Sequence, residues 1–181
     1  MKTVLIRHGK TAGNLEGRYV GGRDDEPLCE EGRAELRTLR VPEAEKIFVS
    51  PMKRCLETAA ILYPGKAFEI VEDFRECDFG TFSGKKYAEL NGDPAYQRWL
   101  DSNGELPFPN GESRAAFSAR CVRAYEQTRL NCAGDCALIV HGGTIMAIME
   151  KYARPRSGYF DFQVKNGHGY ILNGDGGYLP F

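Results

Sequence analysis

The sequence predicts an α/β fold with a mostly parallel sheet, and three observations carry that expectation. Short apolar runs alternate with longer stretches of helical periodicity along the whole chain. Residues 137–140 read Ala-Leu-Ile-Val, a continuous apolar run of the kind found at the buried centre of a parallel sheet. Two apolar runs, ending at Ile6 and at Val140, lead almost directly into a histidine and a glycine. In open α/β sheets such positions, just beyond the carboxyl ends of strands, are where ligands bind.

The elements follow in order. Residues 2–6 form a first strand, and a loop rich in Gly and Asp runs from 9 to 27. A helix spans 29–39, and 46–49 is a second strand, dense in β-branched and aromatic residues. Ser50-Pro51 reads as an N-cap followed by proline at the first helical position. The helix it opens carries Met52, Cys55, Leu56, Ala59, Ala60 and Tyr63 at helical spacing and stops before Pro64-Gly65. Residues 68–71 form a short strand. Asp93-Pro94 starts a short helix to Leu100, which the Asn103-Gly104 turn ends. Gly111-Glu112-Ser113 precedes a long helix to Leu130. After the strand at 137–140 comes a helix over 144–152. The end reads as a hairpin: 159–164, a turn at Asn166-Gly167, then 170–172.

The totals set bounds. A chain of 181 residues fits one domain with a sizeable core. A net charge of -1 creates no overall field for nucleic acid or an anionic membrane, so neither is expected as a partner. No apolar run approaches the ~18 residues of a membrane span, and the run before Arg7 is too short for a signal peptide. A cytoplasmic location is the expectation. The six cysteines are then most simply free thiols. Cys132 and Cys136 are the closest pair, no Cys-x-x-Cys occurs, and no metal site is expected.

Four features bear on chemistry. His8 and His141 each follow a strand and precede glycine, which lets backbone approach a ligand and offer amide donors to an anion. Neighbours on a strand point to opposite faces, so Arg7 and His8 can share a pocket only if the strand is already ending there. Arg54 adds a guanidinium to a helix N-terminus that already favours anions. Glu76 lies in an acidic loop after the third strand. Each has a bland reading when taken singly. An Arg-His pair after a strand is often structural, Glu76 can be a solvated carboxylate or a cap, and Arg54 a surface cation. Together they fit a phosphoryl site: two arginines clamp oxygens, one imidazole attacks, another donates, and a carboxylic acid protonates the leaving oxygen. His168, after Asn166-Gly167, reads as a turn or sheet-surface residue. Trp99 with Tyr96 and Leu100 reads as core or lid packing, and Lys85-Lys86 as a solvated pair.

Several ordered segments resemble the histidine phosphatase superfamily, in its phosphoglycerate mutase-like branch. They are Leu5-Ile6-Arg7-His8-Gly9-Lys10-Thr11-Ala12-Gly13-Asn14, Gly17-Arg18 with Gly21-Gly22, Ser50-Pro51-Met52-Lys53-Arg54, Glu76 with Phe79-Gly80, Pro109-Asn110-Gly111-Glu112-Ser113 and Val140-His141-Gly142-Gly143-Thr144. The resemblance implies a single three-layer α/β/α domain over 1–181 with a mostly parallel central sheet. It implies that His8 becomes phosphorylated and that Arg7, Arg54 and His141 form the phosphate pocket. By the same resemblance Asn14, Gly21 and Gly142 contact phosphate, Glu76 is the general acid, and no metal or other cofactor takes part. Two departures stand out. Cys29 replaces a Thr or Ser, which would lose a helix cap, and Ser83 replaces a Glu near the acid loop.

The resemblance implies a phosphomonoesterase acting on a small phosphorylated metabolite, with a flavour of α-ribazole phosphatase in the run 89–99. The alternative is a phosphoglycerate mutase, an isomerase that returns the phosphoryl group to a substrate hydroxyl. Those mutases usually carry an inserted segment that this chain lacks between Phe79-Gly80 and Pro109-Asn110-Gly111. A non-catalytic phosphate-binding module is disfavoured, because a nucleophile and an acid are both present. Substrate choice is expected to lie in 82–109.

Overall fold

The protein is described from a computed structural model covering residues 1–181. Six strands, β1 (Lys2–Arg7), β2 (Lys46–Val49), β3 (Glu69–Ile70), β4 (Cys136–Val140), β5 (Gly169–Asn173) and β6 (Tyr178–Pro180), form one sheet. Their order is β3-β2-β4-β1-β5-β6. The pairs β1–β4, β2–β4 and β2–β3 are parallel, while β5 runs antiparallel to both β1 and β6. The helices are α1 (Ala12–Leu15), α2 (Glu30–Thr38), α3 (Lys53–Leu62), α4 (Tyr87–Leu90), α5 (Pro94–Asp101), α6 (Arg114–Leu130) and α7 (Gly142–Tyr152).

Strand alternation sorts the core into two faces. Val4, Ile6, Ile47, Val49, Ala137 and Ile139 pack with Cys55, Ala59 and Tyr63 of α3. Leu5, Phe48, Leu138 and Val140 pack with Ala124 and Tyr125 of α6 and Ile145, Ile148 and Met149 of α7. Both faces of the sheet are therefore covered, which is why every residue of β4 is apolar and buried. This is the three-layer α/β/α arrangement the family resemblance implies. A third cluster around Phe82, Phe108 and Phe117 lies outside the sheet, under α5 and the loops that flank it. No helix is long and apolar enough to cross a membrane.

Four local expectations need correction. Ser50-Pro51 does not open α3; the helix starts at Lys53 behind Met52, whose side chain makes no cap. The Ser50 hydroxyl is engaged instead by His141. Cys29 does not lose the cap of α2, because its Sγ accepts from the Gly32 N–H at 3.4 Å. The loop over 9–27 contains α1, which Thr11 and Asn14 close with a reciprocal capping box. The hairpin between 159–164 and 170–172 does not form. Tyr159–Phe162 is a 3-10 turn, with Tyr159 and Phe162 buried in separate clusters, and β5 pairs with β1 and β6. The Asn166-Gly167 turn does exist and feeds β5, with Gly167 at φ +79°.

Candidate active site

The register Arg7↔Val140 brings the carboxyl ends of β1 and β4 level. His8 and His141 therefore emerge side by side, ring centroids 5.2 Å apart. Strand β1 ends at Arg7, so alternation stops and both Arg7 and His8 face one cavity. That cavity has a volume of about 290 Å³ and is also lined by Asn14, Glu76 and Gly142.

His8 is buried, and its Nδ1 lies 2.7 Å from the Gly9 carbonyl oxygen. A carbonyl only accepts, so Nδ1 carries the proton and Nε2 keeps its lone pair. The partner is itself held: Gly9 N–H donates to Thr58 Oγ1 at 3.0 Å, and the Thr58 hydroxyl donates to the Arg54 carbonyl at 2.6 Å. Asn166 Nδ2 donates to the His8 carbonyl at 3.0 Å from the other side.

The two arginines are anchored at their tips. Arg7 Nη1 donates to the Val164 carbonyl at 2.7 Å. Arg54 Nη1 donates to the Asp24 carbonyl at 2.7 Å and Nη2 to that of Gly21 at 3.3 Å. The Nε–H of each is buried without a partner. A buried charged donor left unpaired costs on the order of 1–3 kcal/mol or more, and for Arg7, which lines the cavity, an anion bound there would remove that cost. Asn14 uses its Oδ1 to accept from Thr11 N–H at 3.1 Å and from Asn166 Nδ2 at 3.2 Å. Its amide N–H groups are turned to neither partner.

Glu76 is 8% exposed. Its Oε1 accepts from the Cys77 N–H at 2.8 Å, and its Oε2 lies 3.8 Å from His141 Nδ1. Burial raises the Glu76 carboxyl above the ordinary range, against the pull of the Cys77 N–H, Arg54 and Arg7. Burial acts on the imidazoles with the opposite sign. It holds His8 and His141 well below the ordinary histidine value, and Arg54 lowers both further. His141 also occupies the N-cap position of α7 without a side-chain cap, and Gly142, the first residue of that helix, lines the cavity, so the positive end of the helix dipole lies beside it. The Nε2 of His141 lies 2.8 Å from Ser50 Oγ.

The expected site residues thus fall into three groups. Arg7, His8, Asn14, Glu76 and Gly142 line the cavity. Arg54 and His141 are fully buried beside it rather than on its wall. Gly21 is not brought to the cavity, because its N–H donates to Asp24 Oδ2 at 3.0 Å and its carbonyl holds Arg54. Sequence reasoning missed Ser50, Thr58 and Asn166 as supports. Asn166 left the signal of a turn and Ser50 that of a helix cap, whereas Thr58 left none. His168 immediately precedes β5, with its Nδ1 3.1 Å from the Phe181 carbonyl oxygen. All six cysteines are free thiols, and no group of three or more His, Cys, Asp or Glu converges as a metal cluster would.

Paired imidazoles, two anchored guanidiniums and a buried carboxyl thus converge at the carboxyl ends of β1 and β4 on a three-layer fold. Residues 3–179 match the sequence profile of the Histidine phosphatase superfamily (branch 1). The chain belongs to that superfamily and is an enzyme of the histidine phosphatase class. Among its relatives is an adenosylcobalamin/alpha-ribazole phosphatase of Salmonella typhimurium, 27% identical over 92% of this chain and 87% of that protein. Phosphoglycerate mutase-like protein 4 of Arabidopsis thaliana is 31% identical over 84% and 70%. Among solved structures, a phosphoglycerate mutase from Thermus thermophilus superposes with a TM-score of 0.78 at 29% identity, covering 99% of this chain and 96% of that one. The alpha-ribazole phosphatase from Shigella flexneri shares the fold at a TM-score of 0.84 and 22% identity, over 100% and 95%.

Proposed function

We propose that the protein is a phosphomonoesterase that works without a metal ion, through a phosphohistidine on His8. Its substrate is a small phosphorylated metabolite, and α-ribazole phosphate is the first to test, since relatives carry that name. The observation that carries the reading is the environment of His8. Its Nδ1–H is fixed on Gly9, its Nε2 is free, and the cavity it faces also holds a carboxyl that burial keeps protonated above its ordinary range.

The steps follow from those protonation states. His8 Nε2 attacks phosphorus and forms an N–P bond while the P–O ester bond breaks. Glu76 gives its proton to the departing oxygen, which leaves as an alcohol. Arg7, Arg54 and His141 stabilise the charge on the transferring oxygens, and Asn14 and the N–H of Gly142 add donors. Water then enters. Glu76, now a carboxylate, takes a proton from it, oxygen attacks phosphorus, and the N–P bond breaks to release phosphate and neutral His8. Gly21 serves in this scheme as a holder of Arg54.

The mutase reading draws on the Thermus and Arabidopsis relatives, and uses the same pocket with a second hydroxyl in place of water. The compact segment between Phe79-Gly80 and Pro109 favours hydrolysis, because water reaches a less covered phosphohistidine. The test is phosphate release, in chelator, from p-nitrophenyl phosphate, α-ribazole 5′-phosphate and sugar phosphates, alongside 3-phosphoglycerate with 2,3-bisphosphoglycerate. The His8→Ala variant is expected to release none. Full activity in that variant would overturn the mechanism, and isomerisation of 3- to 2-phosphoglycerate with little phosphate release would make the protein a mutase.

A further inference from the structure

Beside the catalytic cavity lies a second one, of about 130 Å³, and eight of its twelve lining residues are hydrophobic. Its walls include Trp99, Phe108, Phe117 and Phe160. The two cavities meet at shared residues: Glu76, Phe79, Gly143 and Met146 line both. A side chain at Gly143 would crowd the junction, since its Cβ would lie 2.8 Å from the Phe117 ring and 3.2 Å from Glu76 Oε1. The walls are packed in place: the Trp99 ring stacks on Tyr96 at 11° and lies 4.8 Å from Phe108. The charged liners are Glu76 itself and Arg114, whose guanidinium sits 5.4 Å from the Tyr159 ring and 5.7 Å from that of Phe160.

The position of this annex has a chemical consequence. A general acid must touch the oxygen that leaves, so the group attached to that oxygen extends from Glu76. On one side of Glu76 are the phosphate-binding groups. On the other is the annex. We propose that the annex binds the alcohol portion of the substrate, and that it selects phosphomonoesters whose alcohol carries an aromatic or heteroaromatic ring. This rests on the phosphatase reading above and names its substrate class. An apolar cavity of roughly 150 Å³ accepts a benzene ring, a size close to that of the annex. Offset and edge-on contacts with Trp99 and Phe108 suit a flat ring, and Arg114 adds a cation over its rim.

The experiment compares 2-phenylethyl phosphate with ethyl phosphate, which differ in the ring and not in the leaving chemistry. The expected preference in kcat/KM is on the order of 100-fold for the aryl ester. Trp99→Ala and Phe160→Asp are each expected to lower that preference about tenfold, with ethyl phosphate changed less than about twofold. Phe160 is partly exposed, so its variant keeps the test valid should Trp99→Ala disturb folding. Trp99 is the single tryptophan of the chain, so its fluorescence reads annex occupancy independently of turnover. Titration with 3-phenylpropylphosphonate should give a saturable change that propylphosphonate does not. Equal kcat/KM for both esters with silent fluorescence would overturn the annex and leave the phosphatase standing. A saturable signal with no turnover of any ester would do the reverse.

Discussion

Burying an imidazole and burying a carboxyl have opposite consequences for their protons. Both lose hydration, and each retreats to its neutral form. In the proposed mechanism the neutral form of His8 is the nucleophile and the neutral form of Glu76 is the acid. Burial beside one pocket would therefore prepare both partners, with the charges of Arg7 and Arg54 nearby. Glu76→Gln is expected to slow hydrolysis of an alkyl phosphate about 10²- to 10⁴-fold, and to slow p-nitrophenyl phosphate far less, because nitrophenolate leaves unaided. The pH profile has a definite sign. As pH rises through the raised pKa of Glu76 the acid is lost and kcat/KM for the alkyl ester falls; in Glu76→Gln that basic limb should vanish. The acid limb, where His8 gains a proton, should lie below the ordinary histidine value of about 6.5. A basic limb unchanged in the variant would remove Glu76 from the acid role.

At the scale of elements, two strands and two helix starts aim the chemistry. Level ends of β1 and β4 set the histidines side by side, and the first turns of α3 and α7 present Arg54 and Gly142. The antiparallel strand β5 presses against β1 from the other side. There Gly169 has no substitute, because a Cβ would lie 1.7 Å from the Leu5 carbonyl oxygen. Gly169→Ala is expected to cost roughly 3 kcal/mol or more, since the contact is with backbone that cannot turn aside. Gly174→Ala, whose Cβ would be 3.5 Å from the Met1 carbonyl oxygen, should change stability by less than about 1 kcal/mol. Urea unfolding of the two variants gives the comparison; equal stabilities would mean that β5 can shift without loss.

For the whole molecule, the buried imidazoles make stability depend on pH. In the unfolded chain His8 and His141 take protons near pH 6.5, whereas in the fold both pKa values lie well below that. Stability is therefore full above about pH 6.5 and is lost as pH falls below it, because only the unfolded state gains the protons. Glu76 acts oppositely: its folded pKa is raised, so its share of stability falls as pH rises past the ordinary carboxyl value of about 4.3. The melting temperature is expected to drop between pH 7.5 and 5.5, and to drop less in a His8→Asn, His141→Asn variant. An identical slope in that variant would place the protons elsewhere. The α/β class, the strands that carry the site and the placement of Arg7, His8 and His141 at strand ends were readable from sequence, because each depends on near neighbours: alternation along a strand, helical spacing, a glycine after a strand end; the three layers and the place of Glu76 were implied only by the family resemblance. What only the tertiary structure decided was pairing across long distances. Ser50 serves His141 rather than a helix, Gly21 holds Arg54 instead of facing the cavity, Asn166 ties the terminal turn to His8, and β5 pairs with β1 instead of folding back on 159–164. Hydroxyls, amides and backbone groups carry no local mark of their partner. Burial of the assembled core determines which donor each must find.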